Sequence, residues 1–259
     1  MKRVAKEWEE AWWKTQINYD RDIYAMISSP DSQEILKILR KYVRKGVSVL
    51  EAGCGYGRMC VYFSQYYRAS VVGIDIVKEP LKVLNRYLKT SSNLQVFAVA
   101  GDVTKLPFRE GVFDVITSFG VIEHFRKDSE VIEAIKEASR VLKSGGFLIL
   151  SVPNFAAAFR NKLVIALSKG RFGMYHKPYT MSALAKIFNM AKGLRVVESG
   201  FTPFGFRELI LELTKNPSVE KSIYFLYHAI WRMLNSLLKA IGNDYQNPIY
   251  IVVKRECSE

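Results

Sequence analysis

Val49-Leu50-Glu51-Ala52-Gly53-Cys54-Gly55-Tyr56-Gly57-Arg58 is a short apolar run that ends on an acid and enters a G-x-G-x-G turn. The run has the length of a buried strand, and the residues from Arg58 to Tyr67 behind it read as a helix. A turn this tight needs glycine, which reaches backbone conformations closed to other residues and lets a ligand approach the chain closely. The fingerprint that rests a dinucleotide's pyrophosphate on a helix N-terminus is G-x-G-x-x-G. Here the third glycine comes one residue early, and Glu51 precedes the first. At short range a carboxylate in that place repels a pyrophosphate and attracts a cationic ligand.

Working outward, apolar runs of strand length alternate with amphipathic stretches. Strands are expected at Val47 to Glu51, Ser70 to Asp75, Leu94 to Ala98, Val112 to Ser118, Gly146 to Val152, Leu194 to Glu198 and Ile249 to Lys254. Helices are expected at Arg58 to Tyr67, Pro80 to Leu88, Ser129 to Leu142 and Ser182 to Met190. The third carries Val131, Ile132, Ile135, Ala138 and Leu142 on one face. Such alternation predicts an α/β fold, a Rossmann-like seven-stranded, mostly parallel sheet flanked by helices. Residues 1–45 read as a helical extension, with Val4, Trp8 and Trp12 at four-residue spacing and a second apolar stripe from Ile35 to Val43. Ser29-Pro30 supplies that second helix with a cap and a first-turn proline. Residues 46–259 are expected to form the main domain, with helical insertions at about 155–179 and 200–248.

Asp75 ends the second strand, where a carboxylate can accept hydrogen bonds from both hydroxyls of a ribose. Downstream stand Gly101-Asp102-Val103-Thr104-Lys105-Leu106-Pro107-Phe108, then Phe113-Asp114-Val115-Ile116-Thr117-Ser118-Phe119-Gly120-Val121-Ile122-Glu123-His124, then Leu142-Lys143-Ser144-Gly145-Gly146-Phe147-Leu148-Ile149. With the glycine turn and Asp75, and in this order, these segments resemble the motifs of the class I S-adenosylmethionine-dependent methyltransferases, particularly their small-molecule and lipid branch, type 11-like. The resemblance runs from about Val47 to Val152, with a weaker echo in Tyr175-His176-Lys177-Pro178-Tyr179-Thr180. The last motif departs from the family's LKPGG by a serine for proline.

The resemblance implies S-adenosyl-L-methionine as cofactor, a sulfonium with an amino group, and S-adenosyl-L-homocysteine as product. It implies that Glu51, Gly53 and Gly55 border the methionine part and that Asp75, with Ile76 beside it, holds the ribose. Asp102 would accept from the adenine amino group, Val103 would supply a backbone amide, and Phe119 would line the methionine end. Asp114 reads as structural, and Leu106 and Phe108 read as core.

Methyl transfer from a sulfonium is an in-line displacement with an activated leaving group, so alignment supplies much of the acceleration. A base is needed only for an acceptor protonated at working pH, and no invariant catalytic constellation is expected. His124, just past the fourth strand, is the first candidate for a base or substrate contact, with a backbone hydrogen bond as its alternative role. His176, with Tyr175 and Tyr179, is the second, with simple packing as the alternative. No metal site is expected, because Cys54, Cys60 and Cys257 have neither C-x-x-C spacing nor a histidine cluster near them and read as free thiols.

The net charge of +13 is unevenly placed, with no Asp or Glu between Glu137 and Glu198. Arg160, Lys162, Lys169 and Arg171 lie in that gap, a field that attracts phosphate-bearing ligands, nucleic acid or an anionic membrane, or else a solvated helix face. Between Ile223 and Ile241, His228, Arg232, Asn235 and Lys239 make a polar stripe on an apolar helix, which suits a cover over the core or a membrane surface rather than a span. The first residues lack the apolar run of a secretory leader, so a cytoplasmic protein, with peripheral membrane contact, is expected. Ser118-Phe119-Gly120-Val121 replaces the Asn/Asp-Pro-Pro-aromatic motif of enzymes that methylate nucleobase amines, so a small-molecule or lipid-like acceptor is favoured over nucleic acid. The alternatives are a cofactor- or partner-binding protein of the same fold without turnover, and a nicotinamide-dependent oxidoreductase, which the glycine spacing disfavours. The N-terminal helix with Trp8, Trp12 and Trp13, followed by Tyr19, reads as a cover over the cofactor, a packed helix or a dimer contact, and no pattern specifies an oligomer.

Overall fold

The computed structural model describes residues 17–28, 30–152, 177, 179–191, 193–201 and 249–256. Two helices, α1 (Tyr19–Ser28) and α2 (Pro30–Tyr42), precede β1 (Ser48–Ala52), α3 (Arg58–Tyr67), β2 (Ser70–Asp75), α4 (Lys78–Lys89) and β3 (Val96–Ala100). Then follow β4 (Phe113–Phe119), a 3₁₀ turn (Ile122–His124), α5 (Asp128–Val141), β5 (Leu142–Val152), α6 (Met181–Met190), β6 (Leu194–Phe201) and β7 (Ile249–Arg255). The strands make one seven-stranded sheet in the order β3-β2-β1-β4-β5-β7-β6. The first five pair in parallel, and β7 runs antiparallel to both β5 and β6. This is the mostly parallel, Rossmann-like sheet that the alternation predicts.

Side chains alternate between the two faces of each strand, and both faces are covered. Leu50, Ile116, Leu148, Leu150, Ile251 and Val253 join one core with Val131, Ile135 and Ala138 of α5 and Leu184 and Phe188 of α6. Val49, Val71, Val115, Ile149 and Val252 join the other with Leu36 and Leu39 of α2, Val61 and Phe63 of α3 and Leu84 of α4. Burying each such leucine or isoleucine contributes about 1.5–3 kcal/mol against the unfolded chain. α2 is also tied to the far side of the sheet, where Tyr42 Oη and Lys41 Nζ donate to Glu198 Oε2 at 2.6 and 2.5 Å.

Several strand ends differ from expectation by a residue or two and β6 runs on to Phe201 rather than Glu198, and two of the shifts have local reasons. β3 begins at Val96 rather than Leu94, because Leu94 N–H turns back to Ser91 O at 3.2 Å and Gln95 N–H donates to Ser64 Oγ at 2.8 Å. β5 begins at Leu142 rather than Gly146. Leu142 pairs with Phe113 before an irregularity between Phe113 and Val115, and the bend is taken up at Gly145, with φ 76°. Asp114 stands at that irregularity and accepts from Ser48 N, Ser48 Oγ and Lys143 Nζ at 2.8, 2.5 and 2.8 Å, the structural role read for it.

Because β1 lies between β2 and β4, the chain crosses in opposite directions on its two sides. That leaves a crevice at the carboxyl ends of β1 and β4, the place where ligands bind in open α/β sheets. Among the described residues no helix is long and apolar enough to cross a membrane. The stretch from Ile223 to Ile241 lies outside the described residues, as do Trp8, Trp12 and Trp13.

Candidate active site

The turn after β1 takes left-handed backbone at Gly53, Gly55 and Gly57, with φ of 80°, 51° and 67°. It leans on β2: the Gly53 and Cys54 N–H groups donate to Ile74 O at 2.8 and 3.0 Å, and Gly55 N–H donates to Asp75 Oδ2 at 2.7 Å. Asp75 Oδ1 accepts Val77 N–H at 2.9 Å. Neighbours press on the turn from both sides. A Cβ at Gly53 would stand 2.3 Å from Val121 Cγ2, and one at Gly57 would stand 2.4 Å from Leu84 Cδ2. From above, Tyr19 of α1 donates its hydroxyl to Tyr56 O at 2.7 Å and stacks on Tyr87 with ring centroids 4.1 Å apart. Tyr19 belongs to the extension expected as a cover, but nothing local in the sequence marks Tyr56, 37 residues away, as its partner.

Under the turn, Glu51 is buried, and its Oε2 accepts from Cys60 Sγ at 2.8 Å. Glu51 lies opposite Gly73 of β2 and Thr117 of β4 in the sheet register. Gly73 has no side chain because two thiols occupy its space: a Cβ there would meet Cys60 Sγ at 2.7 Å and Cys54 Sγ at 2.9 Å. Cys54 and Cys60 are free thiols, and Cys257 lies outside the described residues. Burial pushes the Glu51 carboxyl up to about 8, against the pull of Cys60 and Arg58. A cation docked at the turn would favour the ionised form and draw that proton off.

The end of β3 meets the tip of β2, where Gly101 N–H donates to Asp75 O at 2.9 Å. Asp102 follows, half-buried, and its Oδ1 accepts both the N–H and the hydroxyl of Thr104, at 2.8 and 2.7 Å. Val103 packs against the core and Ile76 is half-buried beside Asp75. Leu106 is buried and Phe108 meets Phe113 edge-on at 5.2 Å, so both are core, as read.

Beyond β4, Phe119 is half-buried, Gly120 is exposed with φ 71°, and the 3₁₀ turn closes with His124 N–H on Val121 O at 3.1 Å. His124 itself is only 7% exposed, which places it inside this loop rather than on its rim. Its neighbour Glu123, which sequence reading did not single out, is 3% exposed, and burial raises its carboxyl to about 8. The returning chain is fastened on the same loop: Lys177 N–H donates to Glu123 O at 2.7 Å and Tyr179 Oη to Ile122 O at 3.3 Å. Tyr179 is thus a packed core residue, whereas His176 and Tyr175 lie outside the described residues.

The structure therefore brings Glu51, Gly53, Gly55, Asp75, Ile76, Asp102, Val103 and Phe119 to the carboxyl ends of β1 to β4. The donor set fits S-adenosylmethionine. Among the described residues Asp75 is held only by backbone N–H groups and keeps acceptor capacity for a ribose hydroxyl, and the Asp102 Oδ2 oxygen is not used in the Thr104 turn. An acid beneath a glycine cradle suits an amino group and a sulfonium, and it opposes a pyrophosphate.

Comparison with known proteins agrees with that chemistry. Residues 50–150 match the methyltransferase domain family. Demethylmenaquinone methyltransferase of Staphylococcus carnosus (strain TM300) is 30% identical over 184 residues, covering 68% of this chain and 68% of that protein. The protein of the same name from Staphylococcus aureus (strain MRSA252) is 31% identical over 153 residues, so the chain spans 58% of that relative's length and 58% of its own. Among solved structures, phosphoethanolamine N-methyltransferase 2 of Haemonchus contortus in complex with S-adenosyl-L-methionine superposes with a TM-score of 0.63 at 17% identity, covering 96% of this chain and 60% of that one. A SAM-dependent methyltransferase from Methanosarcina mazei does so with a TM-score of 0.60 at 15% identity, covering 86% and 98%. The chain belongs to the class I S-adenosylmethionine-dependent methyltransferases, and S-adenosylmethionine is its cofactor.

Proposed function

We propose that the chain transfers the methyl group of S-adenosylmethionine to a small-molecule or lipid-like acceptor and releases S-adenosylhomocysteine. The observation that carries this reading is Asp75, at the tip of β2, joined to Gly55 of the turn after β1, with Glu51 beneath that turn. Glu51, Gly53 and Gly55 then border the methionine portion, Asp75 and Ile76 the ribose, Asp102 and Val103 the adenine, and Phe119 the methionine end. When bound, the cofactor supplies a methyl group on an already activated leaving group. The residues of the chain fix its orientation, and the loop from Phe119 to His124 meets the acceptor, so that the two approach in line.

The names of the Staphylococcus relatives support an acceptor of quinone-like, lipid character. So does the replacement of the Asn/Asp-Pro-Pro-aromatic motif by Ser118-Phe119-Gly120-Val121. Peripheral contact with an anionic membrane through Arg160, Lys162, Lys169 and Arg171 belongs to the same reading, and neutralising the four should reduce co-sedimentation with anionic vesicles.

Calorimetry with S-adenosylmethionine, S-adenosylhomocysteine and oxidised nicotinamide dinucleotide tests the cofactor half. Saturable binding of the first two with no heat from the third is expected. Binding of the dinucleotide alone would sink the proposal.

A further inference from the structure

Placing the cofactor leaves one group in the β4 loop without a task. Glu123 is 3% exposed, and its Oε2 has no hydrogen-bond partner among the described residues, although side-chain oxygens so deeply buried are nearly always paired. Its Oε1 lies 3.5 Å from where a Cβ at Gly120 would stand, and Gly120 is exposed at the carboxyl end of β4. The carboxyl thus lies just beneath the exposed backbone of Gly120. Val121, between the two, packs on Gly53 of the cofactor turn. Lys177 N–H fixes the Glu123 backbone from the other side, at 2.7 Å. Position, burial and an unused oxygen coincide where the acceptor has to meet the methyl group.

We propose that Glu123 is the proton acceptor of the transfer, its Oε2 holding the hydroxyl or amine hydrogen of the methyl acceptor and taking it as the methyl group arrives. This rests on the methyl-transfer reading above. The acceptor's O–H or N–H bond breaks and its proton goes to Oε2. The electron pair of the acceptor atom forms the new bond to the methyl carbon, and the pair of the breaking S–C bond stays on sulfur. A sulfonium and a carboxylate become a neutral thioether and a neutral acid, and a charge pair that disappears this way gains from a dry, low-dielectric surrounding.

The acid–base character of the site agrees. Burial alone raises Glu123 to about 8, opposed by its own backbone N–H. Among the described residues, the titratable groups nearest it are His124 on the same turn, Arg126 in the same loop and, on the segments packed against that turn, Lys177 and Asp128, which pair with each other. A sulfonium brought beside the carboxyl would lower it towards neutrality.

The test uses the full chain, labelled S-adenosylmethionine and an organic-solvent extract of the source cells, with the parent compared to Glu123→Gln, Glu123→Asp and His124→Gln. Cofactor affinity is read by calorimetry, and the protonated-carboxyl band by difference infrared spectroscopy across pH. Glu123→Gln is expected to bind cofactor as the parent does, lose ~10²–10⁴-fold in transfer rate and lose the alkaline rise of the pH–rate profile. Glu123→Asp should recover part of the rate, and a carboxyl band that bleaches as pH rises through about 8 should vanish in Glu123→Gln. Retention of the alkaline rise in Glu123→Gln, or its loss only in His124→Gln, would overturn the assignment. A parallel fall in cofactor affinity would make Glu123 a structural residue and overturn it equally. No transfer by the parent would overturn this proposal and the methyl-transfer reading together.

Discussion

Gly55 N–H donates to Asp75 Oδ2 at 2.7 Å, so the carboxylate at the tip of β2 and the glycine turn after β1 form one unit. Asp75 holds the turn there, and in the proposed reading it also faces the ribose. Replacing it by alanine should weaken S-adenosylmethionine binding by about 10- to 100-fold, the loss of one or two hydrogen bonds to a charged group. Asp75→Asn, which keeps the shape and one acceptor, should fall between. Calorimetry decides it, and an unchanged affinity in Asp75→Ala would remove Asp75 from the site.

The glycines of the chain separate two costs of a side chain. Gly46 has φ 79° with nothing within 4 Å of an added Cβ, whereas Gly53 has φ 80° with Val121 Cγ2 at 2.3 Å. Gly46→Ala should cost about 1–2 kcal/mol, from left-handed backbone alone. Gly53→Ala should cost that plus about 1–3 kcal/mol of overpacking. Urea titrations of both variants give the difference, and equal midpoints would show that Val121 yields freely.

Much of this was legible in the sequence because strand alternation and turn chemistry are local signals. Asp75 ends its strand at the expected residue, and Arg58 to Tyr67 is the expected helix, since Gly57 before it leaves no doubt where the strand stops. Boundaries failed where long-range partners decided them, as at Gln95, whose N–H is held by Ser64 from another helix. The same holds for the site. Glu51, Gly53, Gly55 and Asp75 stand in one motif and its echo on the next strand, but Cys60 under Glu51, Tyr19 over Tyr56 and buried Glu123 become visible only once the chain is folded. A signal for Glu123 did exist: an acid placed between Ile122 and Phe125 in an apolar loop.

Buried acids make stability depend on pH. Glu51 and Glu123 are both raised from 4.5 to about 8 by burial, so between those values the native state keeps protons that the unfolded chain has released. The contribution of these two acids to stability is therefore full below about 4.5 and falls as pH rises towards 8, by on the order of 1 kcal/mol per pH unit for each acid at most. Glu51→Gln and Glu123→Gln should each flatten that slope in melts taken from pH 5 to 8. Slopes identical to the parent's would mean that the carboxyls ionise freely in the fold.

Tyr19 links the N-terminal helix to the site through Tyr56 O at 2.7 Å. Tyr19→Phe should keep the stack on Tyr87, lose about 0.5–1.5 kcal/mol of stability and weaken cofactor binding a few-fold as the turn loosens. Loss of stability with no change in affinity would confine Tyr19 to packing.

The most direct test of methyl transfer itself is to incubate the chain with methyl-labelled S-adenosylmethionine and source-cell extract, and to count label in organic-soluble, small aqueous, RNA and protein fractions. Label should enter the organic or small aqueous fraction in proportion to the chain, and most of it should disappear with Asp75→Ala. Label confined to RNA or protein, or none anywhere despite measured cofactor binding, would contradict transfer to a small or lipid-like acceptor.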